Sequence, residues 1–512
     1  MSTIDAMKYI KGLDREQISL FPSSLDAVID EDNEVRIIDL FVESIDLKKI
    51  GFKLNHIDNG RPAYHPKVLL KLFIYGYMNS IRSSRKLEKE TKINIEVMWL
   101  LNQLSPDHNT ISSFRKDNSK AIKKVFRYTV EISKNFDLIG GKLLAGDSTK
   151  LRAQNSKKNN YNEKKIKRHI NYIDEKVETY YKELSENDGD NKEIIENEIQ
   201  KHLKRKDEYL EIQKQLEETG ESQISTSDPD SRHLITRNNI TEVAYNIQTT
   251  VDSENNIILD YKVTNENDKK AMGGMLRRAK TILRDNNFTA LYDKGYHTGS
   301  EFEIAAKLGI DVLVAIPKVA ANAPNTAYNV EHFKYINDGD YYICPQGKKL
   351  DSTGTWHKAK TYSFKRYTTK ECLSCKVKRE CSKAKYGKGI QRSEYQEYIN
   401  NNKSRIDKHK DYYRKRQAIV EHPYGTIKRQ WGFSYIMTKK FITRAEADMG
   451  LIFSAYNLRR LINILGIKVL GDYLRALALI FHSLFMALRL KTSHFKATYY
   501  FGRFSLILPR LS

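Results

Sequence analysis

The sequence predicts a multidomain α/β protein, in which a helical amino-terminal region precedes an α/β domain that carries two insertions. Three observations lead to this prediction. Short apolar runs of strand length alternate with segments of helical periodicity between residues 142 and 316. Two long stretches interrupt the pattern, one highly charged and one rich in cysteine. The length of 512 residues exceeds what one hydrophobic core usually organises, so we expect two to four structural units.

The composition is strongly basic. Lys and Arg total 87 against 64 Asp and Glu, which gives a formal net charge of +23. Such an excess favours a polyanionic partner, because each neutralised phosphate releases condensed counterions. A solvated cationic surface or a membrane surface would also fit the charge. Hydrophobic residues make up 40% of the chain, which excludes a linker-dominated or low-complexity protein.

Residues 1–135 are predicted to form a helical domain. Pro66 suits the first turn of a helix that begins after Tyr64-His65. Short helices joined by polar turns, with basic residues such as Arg85 and Lys116, are typical of helical modules that read DNA. They are equally typical of any small helical domain, so a DNA-binding role here stays open.

Two aspartates follow predicted strands in the first part of the α/β core, residues 140–320. The strand at 143–145 leads to Asp147, and the strand at 288–292 leads to Asp293. Side chains just past the carboxyl ends of strands converge on the reactive crevice of open α/β sheets. Either aspartate alone is also explained as a turn former or a helix cap.

A highly charged stretch, residues 156–220, separates these two strands. Its apolar residues recur at alternating steps of four and three, namely Ile166, Ile170, Ile173, Val177, Tyr180 and Leu184. This spacing predicts a helical hairpin inserted after the first strand. Packing is its simplest role, and a long contact with DNA is the alternative.

A third carboxylate, Glu421, lies on a helix in the predicted carboxy-terminal part of the core, residues 404–466. Two strand-end carboxylates and one helix carboxylate can bind hard cations through oxygen. Mg²⁺ (or Mn²⁺) suits such a sparse site because it keeps several waters and accepts substrate phosphate as a ligand. Two ions about 4 Å apart would stabilise both oxygens of an in-line displacement. The sequence therefore predicts a two-metal catalytic site of Asp147, Asp293 and Glu421.

The second stretch, residues 321–403, holds all four cysteines of the chain: Cys344, Cys372, Cys375 and Cys381. Four thiolates with one C-x-x-C pair can bind one structural Zn²⁺ tetrahedrally. Free buried thiols are the alternative. The clustering suits a cytosolic metal site better than an extracellular disulfide framework, and no secretory signal opens the chain. We therefore expect a cytoplasmic protein.

The tail, residues 467–512, is unusually apolar. Its leucines and isoleucine recur at helical steps but are interrupted by Arg475 and His482, so the run is too short to predict a membrane span. A core helix, a dimer helix and a lipid-surface helix all fit this pattern. We expect no membrane partner.

Three segments resemble those of DDE transposases, the RNase H-like recombinases of bacterial insertion sequences: the strand ending at Asp147, residues 290–296 and the helix around Val420-Glu421. The resemblance covers about residues 64 to 466. It implies an RNase H-like catalytic domain that cleaves DNA at the ends of an insertion sequence and transfers the strand into target DNA. It also implies terminal inverted repeats and target DNA as partners, a homodimer on DNA and association with the bacterial nucleoid.

The resemblance assigns roles to individual residues. It implies that Asp147, Asp293 and Glu421 bind the two metal ions and that Lys428 contacts the DNA backbone. One branch of the family carries cysteine-bearing insertions before the glutamate, which supports the zinc prediction. The remaining residues expected to contact DNA are Tyr413, Arg416, Arg429 and Trp431.

One departure from the family pattern is visible. The signature often has Tyr, then Arg three residues later, then Glu four after that. Tyr413 and Arg416 keep this spacing, but Glu421 comes one residue late. Two alternatives to a transposase therefore stay open: a related nuclease that does not join strands, and an inactive or domesticated DNA-binding protein.

Overall fold

The computed structural model describes residues 24–54, 62–186, 192–236, 240–317 and 323–504, without the side chains of residues 412 and 480–504. The chain forms two compact units. The smaller unit contains the residues up to Phe114 and those from Leu461 onward, and the larger unit runs from Arg115 to Arg460.

The smaller unit is helical. Its helices are α1 (Leu25–Val28), α2 (Glu34–Glu43), α3 (Leu47–Ile50), α4 (Pro66–Met78), α5 (Ser84–Ile93), α6 (Ile95–Leu100) and the start of α7 (His108–Asp117). Helix α4 begins with Pro66 in its first turn, as the sequence predicts. Residues 69–78 of α4 are all buried, so this helix forms the centre of the unit. Lys71, in the middle of this run, is neutralised by Asp39 at 2.5 Å and Glu43 at 2.8 Å.

The carboxy-terminal helix α16 (Ile442–Phe504) is broken at Gly466, whose φ of 75° and ψ of 163° are not helical. After the break, Leu470 and Leu474 are completely buried. A Cβ on Gly471 would lie 3.4 Å from Cδ1 of Ile37 in α2. The start of the predicted tail is therefore a core helix of the smaller unit. No helix within the described ranges is long and apolar enough to cross a membrane.

The larger unit is built on a six-stranded mixed sheet. Its strands are β1 (Leu143–Arg152), β4 (Arg232–Ile235), β5 (Thr241–Asp252), β6 (Ile258–Thr264), β7 (Thr289–Tyr292) and β8 (Asp311–Val314), and a separate short pair is formed by β2 (Asn160–Tyr161) and β3 (Ile224–Ser225). The order is β4-β5-β1-β7-β8, with β6 also paired to β5. Strands β4, β6 and β1 are antiparallel to β5, whereas β1, β7 and β8 are parallel to one another.

Helices cover this sheet. They are α8 (Ser119–Asn135), α11 (Met272–Leu283), α12 (Gly299–Leu308), α14 (Gln396–Lys408), α15 (Lys410–Gly425) and the first part of α16. Residues 243–252 of β5 are buried without interruption, as expected for a central strand covered on both faces. The edge strand β8 is fixed by Asn402 of α14. Its side-chain amide donates to the carbonyl of Val314 and accepts from the same residue's N–H, both at 2.9 Å.

The charged stretch after β1 folds as two helices, α9 (Glu163–Glu186) and α10 (Lys192–Thr219). They share a small core that contains Ile166, Ile173, Val177, Ile199, Tyr209 and Leu216. The heptad-like spacing read from the sequence is the apolar stripe that α9 contributes to this core. Strands β2 and β3 close the pair at its base.

The cysteine-rich stretch contains a second antiparallel sheet, which the sequence analysis missed. Its elements are β9 (Lys334–Ile336), β10 (Tyr341–Ile343), β11 (Lys349–Ser352), β12 (His357–Lys358), β13 (Ser363–Thr368), helix α13 (Lys378–Cys381) and β14 (Ile390–Ser393). Its core is formed by Phe333, Tyr342, Leu350, Tyr367 and Ile390. Strands of two to six residues are too short for a period-of-two pattern to stand out.

A buried ion-pair network fastens two helices to the main sheet. Asp260 of β6 is 1% exposed and pairs with Arg127 of α8 at 3.1 Å. It also accepts a hydrogen bond of 2.7 Å from Arg278 of α11. The carboxylate therefore holds helices on the sheet through two different arginines.

We expect Asp260→Ala to lower the free energy of unfolding by roughly 3–5 kcal/mol, because both arginines lose their shared buried partner. Thermal unfolding followed by circular dichroism measures the change. Asp207→Ala, which removes an exposed aspartate of α10, is the control and should leave the melting temperature unchanged. Equal melting temperatures for the two variants would contradict the prediction.

Candidate active site

The pairing of β1 with β7 brings Asp147 and Asp293 to one place in the sheet. Ala145 pairs with Leu291 in parallel register, and each aspartate stands two residues further along its own strand. Asp293 follows the end of β7, as predicted. Asp147, by contrast, does not end a strand, because β1 continues to Arg152 and Asp147 pairs with Thr249 of β5. Asp147 is accessible because β7, the strand on the other side of β1, ends before this position.

Gly146, just before Asp147, is required by close packing. A Cβ at this position would collide with the aromatic ring of Tyr292, the last residue of β7. Tyr292 is itself buried and lies 4.8 Å, between ring centroids, from Tyr296 in the turn after Asp293. The glycine therefore lets β1 and β7 approach closely enough to place the two aspartates side by side.

Arg416 of α15 links the two aspartates. Its guanidinium lies 3.5 Å from Oδ2 of Asp147 and 3.8 Å from Oδ2 of Asp293. The exposed fraction of the Arg416 side chain is 14%. Burial raises the pKa of Asp147 to about 6, although Arg416 acts in the opposite direction. The two carboxylates thus form a partly buried acidic pair that attracts a cation, and here the guanidinium occupies the cation's place.

A further carboxylate, Asp268, lies beside this pair and was not found from the sequence. Its side chain accepts hydrogen bonds from Asn246 at 2.7 Å and Gln248 at 2.8 Å, and it pairs with Lys150 at 3.1 Å. A Cβ on Gly295 would lie 3.0 Å from Oδ1 of Asp293 and 3.4 Å from Oδ2 of Asp268. Although burial raises it, the pKa of Asp268 is lowered by Lys150 and the amide donors. The sequence feature that could have identified Asp268 was its position shortly after β6.

Glu421 is on a different face of α15 from Arg416. Its carboxylate is exposed and accepts a hydrogen bond of 2.7 Å from Gln417. Val420, at the position where the family signature places glutamate, is buried. One residue turns a helical side chain by about 100°. The one-residue delay seen in the sequence therefore moves Glu421 away from the buried face of the helix.

The described part of the chain contains no group of three or more His, Cys, Asp or Glu side chains arranged to hold a metal ion. The structure thus brings together two members of the predicted triad, Asp147 and Asp293, and leaves Glu421 apart from them. The two carboxylates that it does bring together have the oxygen chemistry that Mg²⁺ requires.

The residues expected to contact DNA divide into two groups. Tyr413 interacts electrostatically with Arg416 and so belongs to the surroundings of the acidic pair. Lys428 and Arg429 lie in a π-helical turn, Thr426–Gln430, that follows α15, and Trp431 packs against Phe433 with ring centroids 5.7 Å apart.

This second group is attached to the end of β1. The N–H of Arg152 donates to the carbonyl of Ser434 at 3.3 Å, and the N–H of Ile436 donates to the carbonyl of Arg152 at 2.8 Å. The strand that carries Asp147 therefore also anchors the segment that carries Lys428.

The four cysteines predicted to bind zinc line one cavity. All four are free thiols, and the Sγ of Cys344 accepts a hydrogen bond of 3.3 Å from the N–H of Lys348. Gly387, with a φ of 90°, leaves no room for a side chain beside Cys372. Burial raises the pKa of Cys381, and the other three thiols act in the same direction. The fold therefore gathers thiols that lie far apart in sequence.

Replacing Gly146 tests the close packing behind the aspartates. We expect Gly146→Ala to destabilise the larger unit by roughly 1–3 kcal/mol, because the ring of Tyr292 must move. Gly274→Ala on α11 is the matched control, since a Cβ there would meet nothing within 4 Å. Thermal unfolding of both variants measures the difference, and a Gly146→Ala protein as stable as the control would contradict the packing argument.

Comparison with known families gives two matches. Residues 23–117 match a family described as a transposase domain (DUF772), and residues 343–462 match a family described as a transposase DDE domain. The second match includes the four cysteines, Arg416 and Glu421, whereas Asp147 and Asp293 precede it. No curated protein matches the chain significantly.

Two solved structures are similar to this chain at low TM-scores. A piggyBac transposase synaptic complex with hairpin DNA has 11% identity and a TM-score of 0.31, covering 94% of this chain and 86% of that one. A Mos1 transposase paired-end complex with the left transposon end has 11% identity and a TM-score of 0.15, covering 52% of this chain and 63% of that one. The two family matches support a DDE transposase of the insertion-sequence type.

Proposed function

We propose that this transposase cleaves DNA at the ends of an insertion sequence and transfers the released strand into target DNA, in a reaction that depends on Mg²⁺. The observation that carries the proposal is the pair of carboxylates, Asp147 and Asp293, placed side by side by β1 and β7 with a cationic group between them. A mixed sheet with this acidic pair supports the RNase H-like fold that the family resemblance implies.

Asp147, Asp293 and Glu421 are the proposed metal-binding residues, for two Mg²⁺ or Mn²⁺ ions. When bound, such ions would stabilise the attacking and leaving oxygens of the phosphodiester. The protein's own contribution is to hold the two aspartates in fixed register on adjacent strands. Arg416 offsets the repulsion between the two carboxylates, and its guanidinium can pass to a DNA phosphate, which it binds in bidentate fashion.

The surrounding residues have separate proposed roles. Asp268 is a positioning residue, because three donors already occupy its carboxylate and orient it beside Asp293. Lys428, Arg429 and Trp431 are proposed to contact DNA next to the site, together with Tyr413 and Arg416. The basic composition fits a protein that holds two DNA ends as a homodimer, acting at the nucleoid.

The orientation of Glu421 favours a second candidate, a DNA-binding protein without catalytic activity. A site that holds only two of its three carboxylates would bind metal weakly. The two candidates differ in one respect: a catalytic protein requires Glu421 and loses activity when its carboxylate is removed.

A structural role for Zn²⁺ is proposed from the lining of the cysteine cavity, although the described cysteines do not form a ready-made metal-binding group. Four thiols line it, and a backbone N–H already donates to one sulfur, as is common around thiolate ligands. We propose that one zinc ion binds Cys344, Cys372, Cys375 and Cys381 and fixes the small sheet β9–β14. Thiolates are poor ligands for Mg²⁺, which prefers oxygen. The proposed zinc site is therefore separate from the proposed Mg²⁺ site.

Asp293→Asn should abolish Mg²⁺-dependent cleavage of DNA that carries the ends of the element, lowering the rate by at least about 1,000-fold, because one metal ligand is lost. Glu421→Gln should have a similar effect if the third carboxylate joins the site during the reaction. Cleavage of labelled DNA by the wild-type and variant proteins, resolved on denaturing gels, measures the rates.

Gln417→Ala is the control, because it removes only the hydrogen-bond partner of Glu421. Binding of the same DNA by all proteins must be retained for the comparison to hold. Full activity in Glu421→Gln would remove Glu421 from the site. Absence of cleavage by the wild-type protein, despite tight binding, would favour the non-catalytic candidate.

The zinc proposal predicts about one zinc ion per chain in purified protein. The double variant Cys372→Ser, Cys375→Ser should lose the metal and become sensitive to proteolysis between residues 323 and 395. Elemental analysis and limited trypsin digestion measure the two effects. Protein that contains no zinc and whose cysteines all react with a thiol reagent at the same rate before and after chelation would contradict the proposal.

A further inference from the structure

A groove of about 760 Å³ lies at the base of the helical pair, against the first half of α9. Its lining is rich in nitrogen donors and includes Lys164, Lys165, Lys167, Arg168, Asn171 and His233. Glu175 is the acidic residue among those that line it. The groove lies entirely within the larger unit and away from the residues assigned above to the active site.

Two of the four cations in the groove are already used by the fold. Lys165 donates to the backbone carbonyls of Lys158 at 2.7 Å and Asn160 at 2.9 Å, which ties the start of α9 to the preceding loop. Lys167 pairs with Glu163 at 2.6 Å. Their charges remain in the groove, but their ammonium groups are held in place.

The other two cations, Lys164 and Arg168, are exposed and one helical turn apart on α9. Within the described residues neither has an acidic side chain within 4.0 Å. They lie in the first two turns of a 24-residue helix, where the helix dipole adds to the positive potential. Positive charge is thus concentrated here, with Glu175 as the acidic residue in the groove lining.

The rest of the helical pair behaves differently. Lys206 pairs with Asp174 at 2.6 Å, and Lys201 pairs with Glu198 at 3.0 Å. Acidic residues are interspersed with basic ones along these surfaces, as is usual on a solvated helix. Among the described residues, Lys182 and Lys192 at the opposite end of the pair also lack an acidic side chain within 4.0 Å, but they do not line this groove.

An independent observation concerns His233 of β4, which lines the same groove. Its Nε2 atom is buried and has no hydrogen-bond partner among the described residues. Buried polar atoms are nearly always satisfied, so the unsatisfied Nε2 marks a place in the groove wall where a small shift of the ring would admit a partner. Asn171, on the facing helix, supplies further polar atoms that can bind oxygen.

We propose that this groove binds the phosphodiester backbone of DNA, with Lys164 and Arg168 contacting phosphates. The chemistry is that of backbone recognition, because four cations and three asparagine amides line the groove beside one exposed tyrosine, Tyr172. The groove is larger than a single phosphate needs, which favours a polymer over a free anion. The inference rests on the proposed function, since it gives the helical pair a task in holding the same DNA.

The test compares two double variants in the Asp293→Asn background, so that binding is measured without cleavage. Lys164→Gln with Arg168→Gln alters the groove. Lys182→Gln with Lys192→Gln removes the same charge at the opposite end of the helical pair. Fluorescence anisotropy with a labelled 30-base-pair duplex, from about 50 to 200 mM salt, gives the affinity and its salt dependence.

The groove variant should bind at least about 10-fold more weakly at low salt, and its slope of log K against log salt should fall by about 1.8, for two lost phosphate contacts. The control variant and the charge-retaining Lys164→Arg with Arg168→Lys should resemble the parent. Equal losses in the groove and control variants would overturn the inference. Inorganic phosphate that competes as well as unlabelled duplex would identify a small-anion site and overturn it too.

Failure here is distinct from failure of the proposed function. A wild-type protein that cleaves DNA normally while the groove variant binds like the control would remove the groove and leave the catalytic proposal intact. Weak binding by the groove variant in a protein that never cleaves would retain the groove and remove catalysis. Circular dichroism melting curves must match for all the variants compared.

Discussion

The site depends on the unequal pairing of strand β1. On one side β1 pairs with β5 along residues 144–152, and on the other it pairs with β7 along residues 143–145 only. The full-length partner fixes the register and direction of β1, whereas the short one ends just before Asp147. Asp147 lies within strand β1 and would otherwise have a neighbouring strand on both sides. Because β7 ends early, Asp147 is open on one side. Asp293 follows β7 and therefore lies at the same level of the sheet as Asp147.

The negative charges of Asp147 and Asp293 must be offset by nearby cations. Two carboxylates held side by side and partly buried repel each other, and burial adds its own cost to each ionised group. Arg416 compensates the pair from α15, while Lys150 compensates Asp268 from within β1 itself. An arginine on a helix and a lysine on a strand therefore offset the negative charge of the acidic site. Lys150 lies on the same rigid strand as Asp147, and Arg416 lies on a helix whose neighbouring segment carries the proposed DNA contacts.

Strand β1 also organises what surrounds the site. Its last residue, Arg152, pairs with residues 434–436, which follow the π-helical turn that carries Lys428. Shortly after its end the chain reaches the base of the helical pair and the basic groove. A single strand thus connects the acidic pair to two basic surfaces. This proximity places the proposed cleavage site and the proposed DNA-binding groove on adjoining segments of the chain.

Local signals in the sequence determined several features of this protein. Apolar runs followed by Asp147 and Asp293 identified the two aspartates that the structure unites, and helical spacing identified the apolar stripe of α9. Both are short-range patterns, set by strand ends and by 3.6 residues per turn. The clustering of cysteines predicted a zinc site, and the four thiols line one cavity without forming a metal-binding group among the described residues. The family matches then supported a transposase.

Only the tertiary structure decided the rest, because it depends on contacts between distant residues. Nothing local shows that Asp268 turns towards Asp293, that Arg416 lies between two aspartates, or that His233 faces the start of α9. The small sheet was missed because its strands are short and its core is made of long-range aromatic contacts. The orientation of Glu421 shows the limit most clearly. The sequence revealed a one-residue delay, but the facing of a helix is set by what it packs against, and Val420 rather than Glu421 fills the buried position.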